Sequence, residues 1–254
     1  MMRGITDTVK HLLIINVIMF VGTIAIQNGM FFGKWFSLFF PLNDWFQPWQ
    51  IVTHMFMHGG LMHILFNMFA LWMFGTAVES QLGSKKFLFI YISAGFGAVL
   101  FQLGFSYFEF YDSISLLLDK GYKVSDIVSA MNSSGGIDKS KVAQIIGAEN
   151  LERLNDSFYT RMVGASGCIM GILAAFGMMN PEAKLMLIFL PIPIKAKYFI
   201  PGIILLDVIS ALTGQSFFSP SNTAYMAHVG GALTGFIIMW YWKKNQFNQN
   251  RWDR

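Results

Sequence analysis

Six stretches of mostly apolar residues constrain this chain more than any other feature of its sequence. A membrane-spanning helix needs about 20 apolar residues, because the hydrocarbon core of a bilayer is about 30 Å thick. The candidate spans are residues 12–28, 59–78, 87–107, 166–180, 198–213 and 224–242. Charged residues make up only 13% of the chain, against about 25% in soluble domains. The sequence therefore predicts an all-α polytopic membrane protein, with six transmembrane helices in a single domain over residues 1–254.

Positive charge is distributed unevenly between the two sides of this predicted bundle. The Lys and Arg residues that flank alternate ends of the spans are Arg3, Lys10, Lys85, Lys86, Lys184, Lys195, Lys197, Lys243, Lys244, Arg251 and Arg254. The short loops on the opposite side offer only Lys34. Because cytoplasmic loops carry an excess of Lys and Arg, both termini are predicted to be cytoplasmic, in a bacterial plasma (inner) membrane. This topology accounts for the net charge of +4, so the expected partner is the lipid bilayer and no nucleic acid is expected.

Three segments between the predicted spans do not cross the membrane. Residues 30–52 are rich in Phe and Trp with almost no charge, which is typical of a loop in the outer membrane interface. Residues 109–161 have ordinary soluble composition with turn signals between short amphipathic stretches, and are predicted to form a small external helical insertion between the third and fourth transmembrane helices. Residues 185–194 are too short to span and are predicted to form an interfacial turn.

Polar side chains within the apolar runs are the candidates for chemistry, because such groups are costly in hydrocarbon. They are His58, His63, Asn67, Ser166, Asp207 and His228. His63 and Asn67 stand four residues apart and therefore share one face of the second helix. At about 1.5 Å per residue, Ser166 and His228 each lie about 21 Å from the cytoplasmic ends of their helices, and His63 and Asn67 bracket that level. Polar groups from three helices are thus predicted to converge at one depth.

The fourth apolar run begins at Ser166, preceded by Gly164 and Ala165. Small residues favour a tight turn there, and the first amides of a helix have no partner within it, so they can bind a developing oxyanion. The fourth and sixth runs each contain a G-x-x-x-G pattern, at 167–171 and 231–235, which favours close helix contact. Such contact would bring Ser166 to His228, and a neutral imidazole is the usual activator of a serine.

Taken together, these motifs resemble the rhomboid protease family in order and spacing. The matching residues are the run from His54 to Asn67, Gly75, Glu79, Gly164 to Gly167, Ala227, His228, Gly231 and Gly235. The resemblance covers all six predicted spans. It implies an intramembrane serine endopeptidase that cleaves transmembrane segments of other membrane proteins near the outer membrane face.

The resemblance also implies a role for each site residue. Ser166 is expected to be the nucleophile and His228 the general base. Asn67 and His63, with the Ser166 amide, are expected to form the oxyanion hole. The resemblance implies a dyad without a third acid, a structural role for Glu79 and no cofactor.

The chain departs from the family pattern at two positions. Many relatives have an aromatic residue four positions after the serine, where this chain has Met170; methionine can still pack against an imidazole ring. The family has a Trp-Arg pair in the first loop, which here is residues 30–52. This chain has Trp49-Gln50 at that place, so the contacts of the first loop are in question. The insertion at 109–161 has no counterpart in the most compact relatives.

Other interpretations of the same polar residues remain open. His54, His58 and His63 could bind a metal, although no H-E-x-x-H motif is present and a structural hydrogen-bonding role is predicted for His58. Asp207 could be the acid of a triad, but its estimated depth is below the site, so a structural pairing is predicted. The insertion is either a solvated surface fold or a cap that selects substrates. For the whole chain, the alternatives are a catalytically inactive relative that binds membrane helices and a transporter with a broken helix. The sequence does not indicate the substrate or the oligomeric state.

Overall fold

The computed structural model describes residues 4–26, 29–133, 138–187, 190–215 and 224–249. Within these ranges the chain forms eleven helices and one β-hairpin. The helices are α1 (Asp7–Ala25), α2 (Met30–Phe36), α3 (Gln50–Thr53), α4 (Leu61–Leu82), α5 (Ser84–Asp119), α6 (Val124–Asn132), α7 (Lys139–Ile146), α8 (Ala148–Tyr159), α9 (Ser166–Met179), α10 (Ala196–Thr213) and α11 (Tyr225–Gln249). A 3₁₀ turn, His54–Phe56, follows α3, and a π-turn, Leu71–Gly75, lies within α4. The strands are β1 (Lys184–Leu187) and β2 (Leu190–Lys195).

Four of these helices, α1, α4, α5 and α10, are long and apolar enough to cross a bilayer. The predicted all-α polytopic membrane architecture is therefore confirmed. Helix α9 begins at Ser166, as predicted, but has only 14 residues. Helix α11 has 25 residues and is not among the four that meet both criteria, so the count of six spans stays a prediction.

The centre of the bundle is the seam between α9 and α11. A Cβ atom added to Gly231 would overlap the carbonyl of Gly167, and one added to Gly235 would overlap the carbonyl of Gly171. The two backbones are thus in direct contact, as the paired G-x-x-x-G patterns predict. Helix α5 packs on the other side, where Gly97 meets Thr234. This seam fixes the position of the first turn of α9 relative to α11.

Glu79, near the end of α4, connects three helices. Its carboxylate accepts hydrogen bonds from the backbone N–H groups of Thr8 (3.1 Å) and Val9 (3.0 Å), which belong to the first turn of α1. It also accepts bonds from the hydroxyls of Thr6 and Ser84, and Ser84 begins α5. A carboxylate is favourable at a helix N-terminus because the first amides lack partners and the dipole is positive there. The structural role predicted for Glu79 is confirmed, with the starts of α1 and α5 as its partners.

Within 109–133 and 138–161, the described parts of the insertion, the chain is mainly helical, as the turn pattern predicts, and α5 continues into the insertion without a break. Its apolar side chains bury one another around Phe40 of the first loop. This insertion core consists of Phe40, Phe110, Ile114, Leu117, Ile127, Met131, Ile146, Leu154 and Phe158. The insertion and the first loop therefore share one core, while the location of the insertion outside the bilayer stays a prediction.

The segment predicted to be a simple interfacial turn, 185–194, belongs instead to an antiparallel hairpin. Lys184 pairs with Lys195 and Leu185 with Ile194, while residues 188 and 189 lie outside the described part of the chain. The two prolines of β2 argued for a turn, but each strand of a two-stranded sheet has an unpaired outer side where proline is tolerated. Glu182 closes the base of the hairpin through Lys195 and Lys197, and these hydrogen bonds hold the pKa of its carboxyl at about 2.

Candidate active site

An extended segment before α9 holds Ser166 in place. Met162 pairs with Leu38 of the first loop through two backbone hydrogen bonds, of 2.8 and 3.0 Å. The N–H of Gly164 donates to the carbonyl of His54 at 2.9 Å. Gly164 has φ +127°, a conformation that disfavours residues with a side chain. The backbone that precedes Ser166 is therefore fixed on both sides.

The start of α9 leaves backbone donors at the serine. The first hydrogen bond of the helix runs from Ile169 N–H to the carbonyl of Ala165, at 2.9 Å. The amides of Ser166 and Gly167 precede it, and such amides have no acceptor within their own helix. They are placed to stabilise negative charge that develops beside the serine hydroxyl.

His63 presents a second donor beside Ser166. Its Nδ1 accepts a hydrogen bond from the N–H of Gly59 (3.3 Å), so a neutral ring carries its hydrogen on Nε2. The position of a Cβ on Gly164 would lie 2.9 Å from His63 Nε2 and 3.6 Å from Ser166 Oγ. The Nε2–H group and the serine hydroxyl thus both lie within 4 Å of that Cβ position. A side chain at residue 164 would crowd both groups.

Asn67 lies one turn further along α4 and is buried. Its amide Nδ2 donates to the carbonyl of His63 at 3.0 Å, which fixes the orientation of the side chain. An amide NH₂ has two hydrogens, and in the described part of the chain only one of them is used. The second N–H of the Asn67 side-chain amide is therefore available to donate a hydrogen bond.

His228 of α11 is bound to a carboxylate. Its Nδ1 lies 2.9 Å from Oδ2 of Asp207 in α10, and Asp207 is only 2% exposed. The prediction that Asp207 lies below the site is wrong. The depth estimate placed its α-carbon only about 6 Å from the level of His228, counting four residues at 1.5 Å each, and two side chains together span that distance.

Ser166 and His228 are neighbours through the α9–α11 seam. A Cβ on Gly167 would lie 3.5 Å from the carbonyl oxygen of Ala227, and these two residues adjoin the serine and the histidine in sequence. Among the described residues no hydrogen bond joins Ser166 to His228. Catalytic hydrogen bonds are often long without substrate and shorten in the complex.

His54, His58 and His63 have separate roles. His54 Nδ1–H donates to the carbonyl of Gln50 (2.8 Å). His58 packs its ring edge-on against His63, with centroids 5.1 Å apart. The hydrogen-bonding role predicted for His58 is wrong within the described residues, where neither of its ring nitrogens has a partner. That part of the chain also contains no group of three or more His, Cys, Asp or Glu side chains placed to hold a metal ion.

Gln50 is the principal organiser of the first loop, a role that sequence reasoning missed. It is fully buried. Its Nε2 donates to the carbonyls of Lys34 (3.1 Å) and Trp45 (2.9 Å), and its Oε1 accepts from the N–H groups of Gln47 and Phe39. A neutral amide thus satisfies several backbone groups at the position where the family pattern has arginine. The signal available in the sequence was an uncharged polar residue, Gln50, where the family pattern has arginine.

Met170 lies one turn after Ser166 and is buried in the main core of the bundle together with Ile169 and Leu173. The neighbouring Cys168 is also buried and has a free thiol. Packing of Met170 against the ring of His228 stays a prediction.

The fold and site define a class: a polytopic helical membrane protein in which a serine begins a short internal helix and a histidine lies on the helix packed against it. A family model described as Rhomboid domain matches residues 46–111 and 133–245. This match covers more than half of the chain and leaves out residues 112–132. The chain belongs to the rhomboid family, which confirms the resemblance inferred from its motifs.

Individual relatives come from eukaryotes and from a bacterium. The chain is 30% identical over 187 residues to "Presenilin-associated rhomboid-like protein, mitochondrial" of Rattus norvegicus, covering 73% of this chain and 35% of that protein. It is 26% identical over 196 residues to "Rhomboid protein 1, mitochondrial" of Saccharomyces cerevisiae, covering 77% and 42%. Over 85 residues it is 34% identical to "Rhomboid protease GluP" of Bacillus subtilis, covering 34% and 16%. The chain thus spans well under half the length of these curated relatives.

Proposed function

We propose that the chain is an intramembrane serine endopeptidase that cleaves transmembrane segments of other membrane proteins near the outer membrane face. Ser166 is the nucleophile and His228 the general base. The observation that best supports this function is the position of Ser166. It begins α9 beside the Nε2–H of His63 and next to the close α9–α11 contact that carries His228.

The proposed reaction is acyl transfer. His228 takes the hydroxyl proton as Ser166 Oγ attacks the scissile carbonyl carbon, and then gives the proton to the leaving amine. The oxyanion is held by His63 Nε2–H, an amide hydrogen of Asn67 and the backbone N–H of Ser166. Water hydrolyses the acyl-enzyme. A helical substrate must unwind before its carbonyl is accessible, so residues that weaken a helix favour cleavage.

Labelling of the purified full chain with a fluorophosphonate tests this function, because the probe reacts with an activated serine. We expect labelling that is lost in Ser166→Ala and kept in Ser125→Ala, a change at an exposed serine of α6. A chain that folds but takes no label would support the alternative, a catalytically inactive protein that binds membrane helices.

Asn67→Ala is expected to lower turnover about a hundredfold, the usual effect of losing one oxyanion donor, while labelling of Ser166 stays detectable. The measurement is the cleavage rate of a single-span substrate. Asn155→Ala is a matched control, because Asn155 in α8 makes the same bond to the carbonyl four residues earlier, Leu151, at 2.7 Å. Equal turnover in the two variants would remove Asn67 from the site.

We further propose that both termini face the cytoplasmic side, or the equivalent side of an organelle membrane, as the distribution of Lys and Arg indicates. This orientation places the start of α9 towards the opposite face. The relatives are mitochondrial and bacterial proteins, so they do not support the bacterial inner membrane over a mitochondrial one.

The insertion is proposed to select substrates by their external segments. Asn132, at the end of α6, donates to the carbonyl of Leu42 (2.9 Å) and accepts from the N–H of Asp44 (3.0 Å), both in the first loop. Asn43 of that loop donates to the carbonyl of Phe158 in α8 (3.2 Å). The chain then leads within a few residues to Ser166. The insertion is therefore attached both to the first loop and to the segment that positions the nucleophile.

Asn132→Ala is expected to change the relative cleavage of two substrates that differ only in their external juxtamembrane residues by roughly threefold or more, since loss of hydrogen bonds worth about 1 kcal/mol frees the first loop. Fluorophosphonate labelling is expected to stay at the wild-type rate. Asn150→Ala is the matched control, because the hydrogen bond of Asn150 stays within the insertion, where its Nδ2 donates to the carbonyl of Ile146. If Asn132→Ala and Asn150→Ala show the same preference as wild type, the insertion is a passive surface fold.

A further inference from the structure

We propose that Asp207 positions His228 for catalysis, so that the general base for Ser166 is a histidine hydrogen-bonded to a carboxylate and not a histidine alone. This inference rests on the proposed function and adds one residue to its site. The observation that supports it is the contact of 2.9 Å between Asp207 Oδ2 and His228 Nδ1. Because a carboxylate can only accept, Nδ1 carries the hydrogen, and Nε2 is then the free acceptor for the serine proton.

The surroundings of Asp207 argue against an ordinary structural ion pair. The side chain is 98% buried in a helix otherwise rich in Ile and Leu, and a buried carboxylate without compensation is costly. Among the described residues its only hydrogen bond is the one to His228, and no Lys or Arg lies within ion-pair distance. Within that part of the chain, the one cation available to this carboxylate is the imidazolium that His228 becomes when it takes the serine proton. The interaction is therefore strongest in the transition state, which is the condition for it to raise the rate.

The proton itself stays on the histidine. As the bond from Ser166 Oγ to the substrate carbon forms, the hydroxyl proton moves to His228 Nε2, while the Nδ1 hydrogen remains bound to nitrogen and donates to Asp207. The proton on Nε2 then goes to the leaving amine. Asp207 fixes the tautomer and the orientation of the His228 ring and places a negative charge beside it. It acts only through His228.

The same bond also attaches α10 to α11, so a purely structural role of Asp207 must be distinguished from the positioning of His228. Asp207→Asn separates them, because an amide keeps the size of the side chain and can still bond Nδ1. If the amide NH₂ donates to Nδ1, the ring hydrogen moves to Nε2 and no acceptor is left for the serine proton; if Oδ1 accepts instead, the tautomer is kept but the negative charge that stabilises the imidazolium is lost. A structural role predicts normal activity whenever the fold is kept. A positioning role predicts a folded and inactive protein.

We expect Asp207→Asn to lower the rates of both fluorophosphonate labelling and cleavage by roughly 10²- to 10⁴-fold, in line with the effect of this change in other serine proteases. Thermal stability should change little. Asp207→Glu, which keeps the carboxylate, should recover part of the rate. Ser210→Ala is the control, because Ser210 is buried one turn further along α10 and should leave the rate unchanged. Labelling of Asp207→Asn at the wild-type rate would overturn the inference.

The tautomer can be measured in the wild-type chain, without an activity assay. Nitrogen NMR of the ¹⁵N-histidine-labelled full chain should show His228 with hydrogen on Nδ1 and none on Nε2. A wild-type ring protonated on Nε2 would overturn the inference even if Asp207→Asn failed to fold. If the tautomer is as expected but the wild-type chain neither labels nor cleaves, the proposed protease function fails and the structural assignment stands.

Discussion

Ser166→Ala and His228→Ala are each expected to reduce cleavage of a single-span substrate by about 10⁵-fold or more, and the double variant should be no slower than either single variant. The losses do not add because the two residues act as a unit: without the base the hydroxyl is a weak nucleophile, and without the hydroxyl the base has no proton to take. The measurement is the initial rate with full-length enzyme in a bilayer or detergent.

Two controls accompany this series. Ser125→Ala and His11→Ala change the same residue types at exposed positions and should leave the rate unchanged. A metal chelator is also expected to have no effect. Cleavage that survives Ser166→Ala but stops with chelator would replace the serine mechanism by a metal-dependent one.

Gly231→Ala is expected to destabilise the folded protein by at least about 1–3 kcal/mol, the usual cost of overpacking, and to abolish labelling of Ser166. The added methyl group would overlap the backbone carbonyl of Gly167, and backbone cannot rotate away as a side chain can. The helices must therefore separate, which moves His228 away from the serine. Thermal unfolding in detergent, followed by fluorophosphonate labelling, measures both effects.

Gly202→Ala in α10 is the matched control for this prediction. A Cβ at that position has nothing within 4 Å, and alanine has a higher helix propensity than glycine by about 1 kcal/mol. The control should therefore be neutral or slightly stabilised. Equal stability of the two variants would mean that the α9–α11 contact is looser than the structure shows.

The sequence predicts those parts of the site that depend on local pattern. The start of α9 at Ser166 follows from the small residues before it, and the shared face of His63 and Asn67 follows from helical periodicity. The contact between α9 and α11 follows from the spacing of glycines in both helices. Each of these signals lies within one segment of about twenty residues.

The remaining features depend on contacts between distant segments, and a sequence pattern does not encode them. The bond from Asp207 to His228 depends on side-chain reach and on how α10 lies against α11, neither of which a count along the helices includes. The hydrogen bonds of Gln50 depend on how the first loop folds back on itself. The shared core of Phe40 and the insertion joins residues 70 and more positions apart.

The pairing of Leu38 with Met162 makes the first loop and the segment before Ser166 a single mechanical unit. Under the proposed function, a substrate helix that displaced the first loop would also pull on the backbone that carries Ser166. The free energy of substrate binding and the geometry of attack would then be linked through one pair of hydrogen bonds. Selectivity of the proposed enzyme would be expressed in the rate of reaction as much as in affinity, because a poorly fitting helix would bind without aligning the serine.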